Sequence, residues 1–181
     1  MLRFMSGLIV FSLFLPLFSV QADSAVIFSD GFEGGLDIPL NWQVAGAGWS
    51  TVSNPANAHS GDKRAQAKGN TSGDSVLSKE QSTTGWQNIS LAYWYRVADK
   101  LESNDHWWAE WSDNGTSWQI LDELSNIATT SWTFVSYALP AGADDQADFQ
   151  FRFRVNLSGA TDVVWLDDVV LEGDLISTTT P

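Results

Sequence analysis

Apolar and polar side chains take turns along residues 89–97, where Ile89, Leu91, Tyr93, Tyr95 and Val97 alternate with Ser90, Ala92, Trp94 and Arg96. A period of two belongs to an extended strand, whose successive side chains point to opposite faces; a helix needs about 3.6. Residues 149–156 repeat the pattern with Phe149, Phe151, Phe153 and Val155 on one side and Gln150, Arg152, Arg154 and Asn156 on the other. A strand of this kind buries its apolar row and leaves its polar row to water. Further strands are expected at 26–28, 49–53, 64–68, 75–80, 105–111, 117–122, 132–139 and 163–171, separated by clusters of Gly, Asn, Asp, Ser and Pro. Ser112-Asp113-Asn114-Gly115-Thr116 is the strongest hairpin signal, because Asn-Gly suits the positive φ angles of a primed two-residue turn. With no helical heptads and no internal repeat, the chain reads as all-β, with two packed antiparallel sheets forming a β-sandwich.

The N-terminus has a different character. Met1-Leu2-Arg3 precedes an apolar run, Phe4 to Val20, that ends at the small residue Ala22. This is the plan of a signal peptide spanning 1–22, and it predicts a secreted, extracellular protein with no membrane association after cleavage. Residues 23–174 then form one sandwich domain, a size that supports a single core. Residues 175–181, ending Ser177-Thr178-Thr179-Thr180-Pro181, read as a linker or disordered tail, suited to a module tethered to a catalytic domain. The sequence contains no cysteine, so no disulfide closes its loops. Its net charge of −13 excludes nucleic acid as a partner, since phosphate backbones demand an excess of Lys and Arg.

Three short segments carry a resemblance. Phe28-Ser29-Asp30-Gly31-Phe32-Glu33-Gly34-Gly35 with Trp42 soon after, His59-Ser60-Gly61, and Trp165-Leu166-Asp167-Asp168-Val169-Val170-Leu171 resemble the scaffold of jelly-roll carbohydrate-binding modules, and MAM-like extracellular adhesive domains look similar. The stretch from Asn104-Asp105 through Glu110-Trp111-Ser112-Asp113-Asn114-Gly115 to Trp118 is similar to the strand-turn-strand hairpin of such modules. The resemblance spans nearly all of the mature chain and implies a jelly-roll sandwich. It also implies a structural calcium ion held by Glu33 and Asp167, with Asp30, Ser60 and Asp168 as secondary ligands. Calcium chemistry suits these residues, because Ca²⁺ takes about 6–8 oxygen ligands, and an ion joining the first and last strands would pin both chain ends. The competing reading makes them solvated carboxylates at strand ends. Zinc is disfavoured by a chain with His59 and His106 as its only histidines and no thiols.

The polar rows supply the candidate binding surface. Trp94 and Arg96 come from one strand, and Gln150, Arg152, Arg154 and Asn156 from another. If Trp107, Ala109 and Trp111 fill the core, His106, Trp108 and Glu110 join them on one concave sheet face. Indole faces accept the C–H faces of sugar rings, while Arg, Gln, Asn and Glu satisfy hydroxyls. The expected function is therefore non-catalytic recognition of a polysaccharide or oligosaccharide, and an acidic one would gain from bidentate arginine contacts. The remaining tryptophans, Trp42, Trp49, Trp86, Trp118, Trp132 and Trp165, are assigned to core or turn packing. Two alternatives stand. The arginines could pair structurally with Glu110, and His106 with Glu110 could form the acid/base pair of a polysaccharide lyase or glycoside hydrolase. The chain has no Gly-x-Ser-x-Gly elbow, His-Glu-x-x-His motif or P-loop. Adhesion to protein, as in MAM-like domains, predicts a flat apolar patch instead.

Overall fold

The computed structural model describes residues 24–36, 42–69 and 73–177. The expected signal peptide and the end of the tail lie outside the described residues. The strands are β1 (Ala25–Asp30), β2 (Gln43–Ala45), β3 (Trp49–Ser53), β4 (Lys63–Lys68), β5 (Ser75–Glu80), β6 (Trp86–Val97), β7 (His106–Ser112), β8 (Gln119–Leu124), β9 (Thr133–Ala138), β10 (Gln150–Asn156) and β11 (Val163–Leu175). A single 3-10 turn, Ala141–Ala143, precedes β10. Among the described residues no helix is long and apolar enough to cross a membrane.

Every pairing is antiparallel. One sheet has six strands in the order β3-β4-β11-β6-β9, with β1 also paired to β11; the other has five in the order β2-β5-β10-β7-β8. This is the two-sheet sandwich that the alternation predicted. The rows expected to face inward do so: Leu91, Tyr93, Tyr95 and Val97 of β6 meet Trp107, Trp111, Phe151 and Phe153 of the opposite sheet, all buried. Tyr93 packs edge-on against Phe153 with ring centroids 4.9 Å apart, and Trp42 packs edge-on against Phe151 at 5.7 Å. Such aromatic pairs add about 0.5–1.5 kcal/mol each beyond area burial, so an interlocked aromatic layer holds together a chain that has no disulfides.

Three local expectations are corrected. The short strand β2 has no alternation of its own to announce it, since Gln43, Val44 and Ala45 are all exposed on a sheet edge. The β7–β8 connection is not a two-residue turn: residues 113–118 form a loop around the Asn114 side chain, whose Oδ1 accepts the backbone N–H groups of Thr116 and Ser117, both at 2.9 Å. An Asn side chain that binds its own following backbone favours this wider loop. The last strand, expected at 163–171, runs to Leu175, and the Ile176 N–H donates to the Gly85 carbonyl.

Candidate functional site

Alternation says whether a residue faces in or out, but not in which sheet. The expected single shelf therefore divides. β6 lies in the six-stranded sheet, while β7 and β10 lie in the five-stranded one. Trp94 and Arg96 consequently sit on the opposite outer face of the sandwich from His106, Trp108, Glu110, Gln150, Arg152 and Arg154, and a shared surface is ruled out.

The five-stranded sheet brings the latter group together by register. Gln150 pairs with Ser112, Arg152 with Glu110, Arg154 with Trp108 and Asn156 with His106. Their inward neighbours Phe151, Phe153, Trp107, Ala109 and Trp111 are buried, as the core assignment of β7 required. Glu110 organises the face. Its side chain is 4% exposed, and it accepts Arg152 Nε at 2.6 Å, Arg154 Nε at 3.0 Å and Arg154 Nη2 at 2.9 Å. Asp74 takes Arg154 Nη1 at 2.9 Å and the Asn156 amide at 2.7 Å. Burial alone would raise the pKa of Glu110, but the arginine hydrogen bonds outweigh it and hold the carboxyl below its ordinary range. The locked guanidiniums lie over indoles: Arg154 is 3.7 Å from the centroid of Trp108, and Arg152 is 3.9 Å from that of Trp118. His106 stacks on Trp108 with ring centroids 4.9 Å apart and 6° between planes.

Two consequences follow for chemistry. The His106–Glu110 acid/base pair does not form, because Glu110 is spent on arginines and His106 instead meets Glu123 at 3.1 Å. Arg152 bonds protein only through Nε, so among the described residues both of its Nη groups remain available as donors. Trp118, expected in the core or a turn, belongs to this face. Its signal was the loop closure, which places residue 118 directly before β8 and beside Arg152.

On the opposite face Trp94 is covered. His59, from the loop after β3, stacks on it at 3.8 Å between centroids with 17° between planes, and Trp132 anchors the same loop by donating to the Asn57 carbonyl at 3.2 Å. Trp165, expected in core or turn packing, also faces outward here between the buried Val164 and Leu166.

The expected calcium residues cluster where β1 meets β11, the strand pair anticipated for the chain ends. A bulge between Asp167 and Val170 turns Asp168 to a φ of 44° and aims its carboxylate at the loop. Asp168 accepts Ser60 Oγ at 2.6 Å and contacts His59 Nδ1 at 2.5 Å, while Asp167 accepts the backbone N–H of His59 at 2.8 Å. Burial, opposed by that backbone bond and reinforced by the charge of Asp168, pushes the Asp167 pKa up to about 6. Glu33 Oε1 accepts the N–H groups of Asp62 and Lys63 at 2.9 and 2.8 Å. The Glu33 carboxylate lies against Gly61, whose φ of 59° and missing Cβ leave room for it.

Measured against calcium, these donors fit in part. Glu33, Asp168, Asp30 and the backbone of Ser29, Gly31 and Gly34 line one small cleft, an oxygen-rich set of the required type. Asp30 is committed elsewhere, to the Trp42 indole at 2.6 Å and the Phe32 N–H at 2.7 Å. Among the described residues the carboxylates that gather within 4.8 Å of one another are Glu102, Asp105 and Asp162, at another end of the fold. There Asp105 is occupied in capping the backbone of Glu102 and Ser158.

The fold is a two-sheet antiparallel β-sandwich. No family model matches the sequence. No curated protein matches it either. Solved structures do. The K3 cleaved adhesin domain of Lys-gingipain from Porphyromonas gingivalis W83 is similar with a TM-score of 0.61 and 20% identity, covering 83% of this chain and 99% of that one. TmCBM61, solved with β-1,4-galactotriose, gives 0.59 and 21%, covering 80% and 94%. The CBM22-1 xylan-binding domain of Paenibacillus barcinonensis Xyn10C gives 0.56 and 14%, covering 87% and 100%.

Proposed function

We propose that this domain binds a polysaccharide, without catalysis, on the outer face of its five-stranded sheet. One observation carries the reading: Glu110 fixes Arg152 and Arg154 over Trp118 and Trp108. Preformed platforms of this kind bind with little ordering cost. Sugar C–H faces pack on the guanidinium planes and on the indole area that Arg152, Arg154 and His106 leave open, while the Arg152 Nη groups, Gln150 and His106 serve hydroxyls. Neighbouring strands lie about 4.8 Å apart and same-face residues about 6.6 Å apart, so the row from His106 to Gln150 matches several sugar rings in length. Because Glu110 and Asp74 neutralise both arginines, this face reads hydroxyls rather than charge. With Glu110 committed to two arginines, the expected His106–Glu110 acid/base pair is missing, which favours recognition over hydrolysis. The same reading makes the protein a module that attaches to glycans, and the similar solved structures with bound or named sugars support it.

A calcium ion is proposed at the β1–β11 cleft, held by Glu33 and Asp168 with Ser60 and neighbouring carbonyls, and with Asp167 behind them. It would neutralise adjacent carboxylates and tie the two terminal strands to the His59–Lys63 loop.

The test of function is retention on insoluble and soluble polysaccharides, wild type beside Trp108→Ala. Binding to at least one neutral polymer is expected, weakened by about 10- to 30-fold in the variant, the scale of a central aromatic anchor. Retention unchanged by Trp108→Ala and by Trp118→Ala would remove this face from the account.

A further inference from the structure

The most unusual charges in the molecule lie on the other side. Arg64 of β4 and Arg96 of β6 flank the Trp165 indole, with guanidinium carbons 4.9 and 4.8 Å from its centroid. The register produces this arrangement: Trp165 pairs with Arg96 on one side and Gln66 on the other, and Gln66 accepts the Trp165 indole N–H at 3.0 Å. Arg64 is the same-face neighbour of Gln66 along β4. Whereas Arg152 and Arg154 each meet carboxylates, neither Arg64 nor Arg96 has one within 4.0 Å among the described residues. Arg64 is 4% exposed, and its one hydrogen bond to a described residue is a long contact of 3.4 Å from Nη1 to the Asn54 carbonyl. The Nε of both arginines is buried without an acceptor. Burial first, and then the neighbouring charge of Arg96, push the Arg64 pKa down against a smaller opposing pull from the Asp167 carboxylate.

Two like charges side by side, one of them buried and neither in salt-bridge contact with a described carboxylate, are costly in any protein. In a chain of net charge −13 with 22 acidic residues, the lack of a carboxylate in contact with either arginine among the described residues is informative. We propose that Arg96, with Arg64 behind it, forms an oxyanion site that takes the carboxylate or sulfate ester of an acidic glycan against the edge of Trp165. This inference rests on the glycan-binding reading but uses a different surface. Arg96 and Trp165 are half-buried and reach solvent, and a planar or tetrahedral oxyanion is the group that guanidinium forks recognise. The domain then presents two surfaces back to back, one reading hydroxyls on its neutralised face and one reading charge.

Three polymers separate the possibilities: neutral β-1,4-galactan, polygalacturonate and dextran sulfate, with binding measured at low and high salt. Wild type is expected to bind at least one acidic polymer in a salt-sensitive manner. Arg96→Met, which keeps the stem and loses the charge, is expected to weaken that binding tenfold or more while leaving galactan retention unchanged. A preference for polygalacturonate assigns the site to carboxylates, and one for dextran sulfate assigns it to sulfate esters. The inference is overturned if neither acidic polymer binds, or if Arg96→Met binds them like wild type. Should the variant misfold, the arginine Nε–H resonances of the wild-type protein decide the matter: they shift on adding the acidic polymer, and unshifted Arg64 and Arg96 signals refute the site. Trp108→Ala governs galactan alone, so a failure of the neutral face is distinguishable from a failure of this one.

Discussion

Replacing Glu110 by glutamine removes one charge and almost no volume, so the variant isolates what the carboxylate does. In the native protein it receives three charge-assisted hydrogen bonds from Arg152 and Arg154 at a side-chain exposure of 4%, against 20% and 19% for the arginines. Breaking a fully buried ion pair costs about 3–5 kcal/mol. Here the arginines keep a fifth of their surface in water and Arg154 retains Asp74, so the loss should be smaller, about 2–3 kcal/mol. For a domain of this size each kcal/mol moves Tm by about 2–4 °C, which predicts a fall of roughly 4–12 °C by calorimetry at pH 7. The folded state lowers the Glu110 pKa, so its contribution is present above the ordinary glutamate value of about 4.3 and is lost as pH falls below it. The gap between wild type and Glu110→Gln should therefore be widest at neutral pH and narrow in acid. A Tm within about 1 °C of wild type at pH 7, or a gap that widens on acidification, would refute the assignment of Glu110 as the organiser of this face.

Asp167 should show the opposite slope. Its pKa of about 6 lies above the ordinary aspartate value, so without divalent ions the Asp167 contribution to stability is fully present below about pH 4 and on the order of 2–3 kcal/mol of it is lost as pH rises through 6; Asp167→Asn should melt above wild type in chelator at pH 7.5 and lack this component of the pH dependence. Calcium added after EDTA should raise the wild-type Tm, because an ion that binds only the folded state stabilises it by mass action, and an unchanged midpoint would count against the cleft as a metal site. In retention assays, Trp108→Ala should lose neutral-polymer affinity while its far-UV circular dichroism stays that of wild type, whereas a parallel loss of fold would mean that the indole is structural.

Residues 89–97 and 149–156 disclose their inner and outer rows without any coordinates, because a strand offers only two directions. They cannot disclose which sheet a strand joins. That depends on pairings between residues far apart in sequence, such as Trp94 with Asp167 and Arg154 with Trp108. The merging of Trp94 and Arg96 with the β10 arginines arose from this gap. The choice between a binding and a structural role for Arg152 and Arg154 was similarly open, since both readings place them on the outer face. Register decided it by setting Glu110 opposite Arg152. Trp118 and Trp132 sit at loop and strand margins where alternation lapses, and their places depend on loop closures fixed by Asn114 and Asn57. Trp165 was missed as well, because the run Val163-Val164-Trp165-Leu166 is apolar throughout and does not say which side chains face out.

Mapping of a bound neutral oligosaccharide by indole N–H resonances tests the central claim most directly. The Trp108 and Trp118 signals should move first and saturate together, with those of Trp94 and Trp165 unmoved. Shifts confined to Trp94 and Trp165, or none across a panel of neutral glycans, would contradict the placement of sugar on the five-stranded sheet.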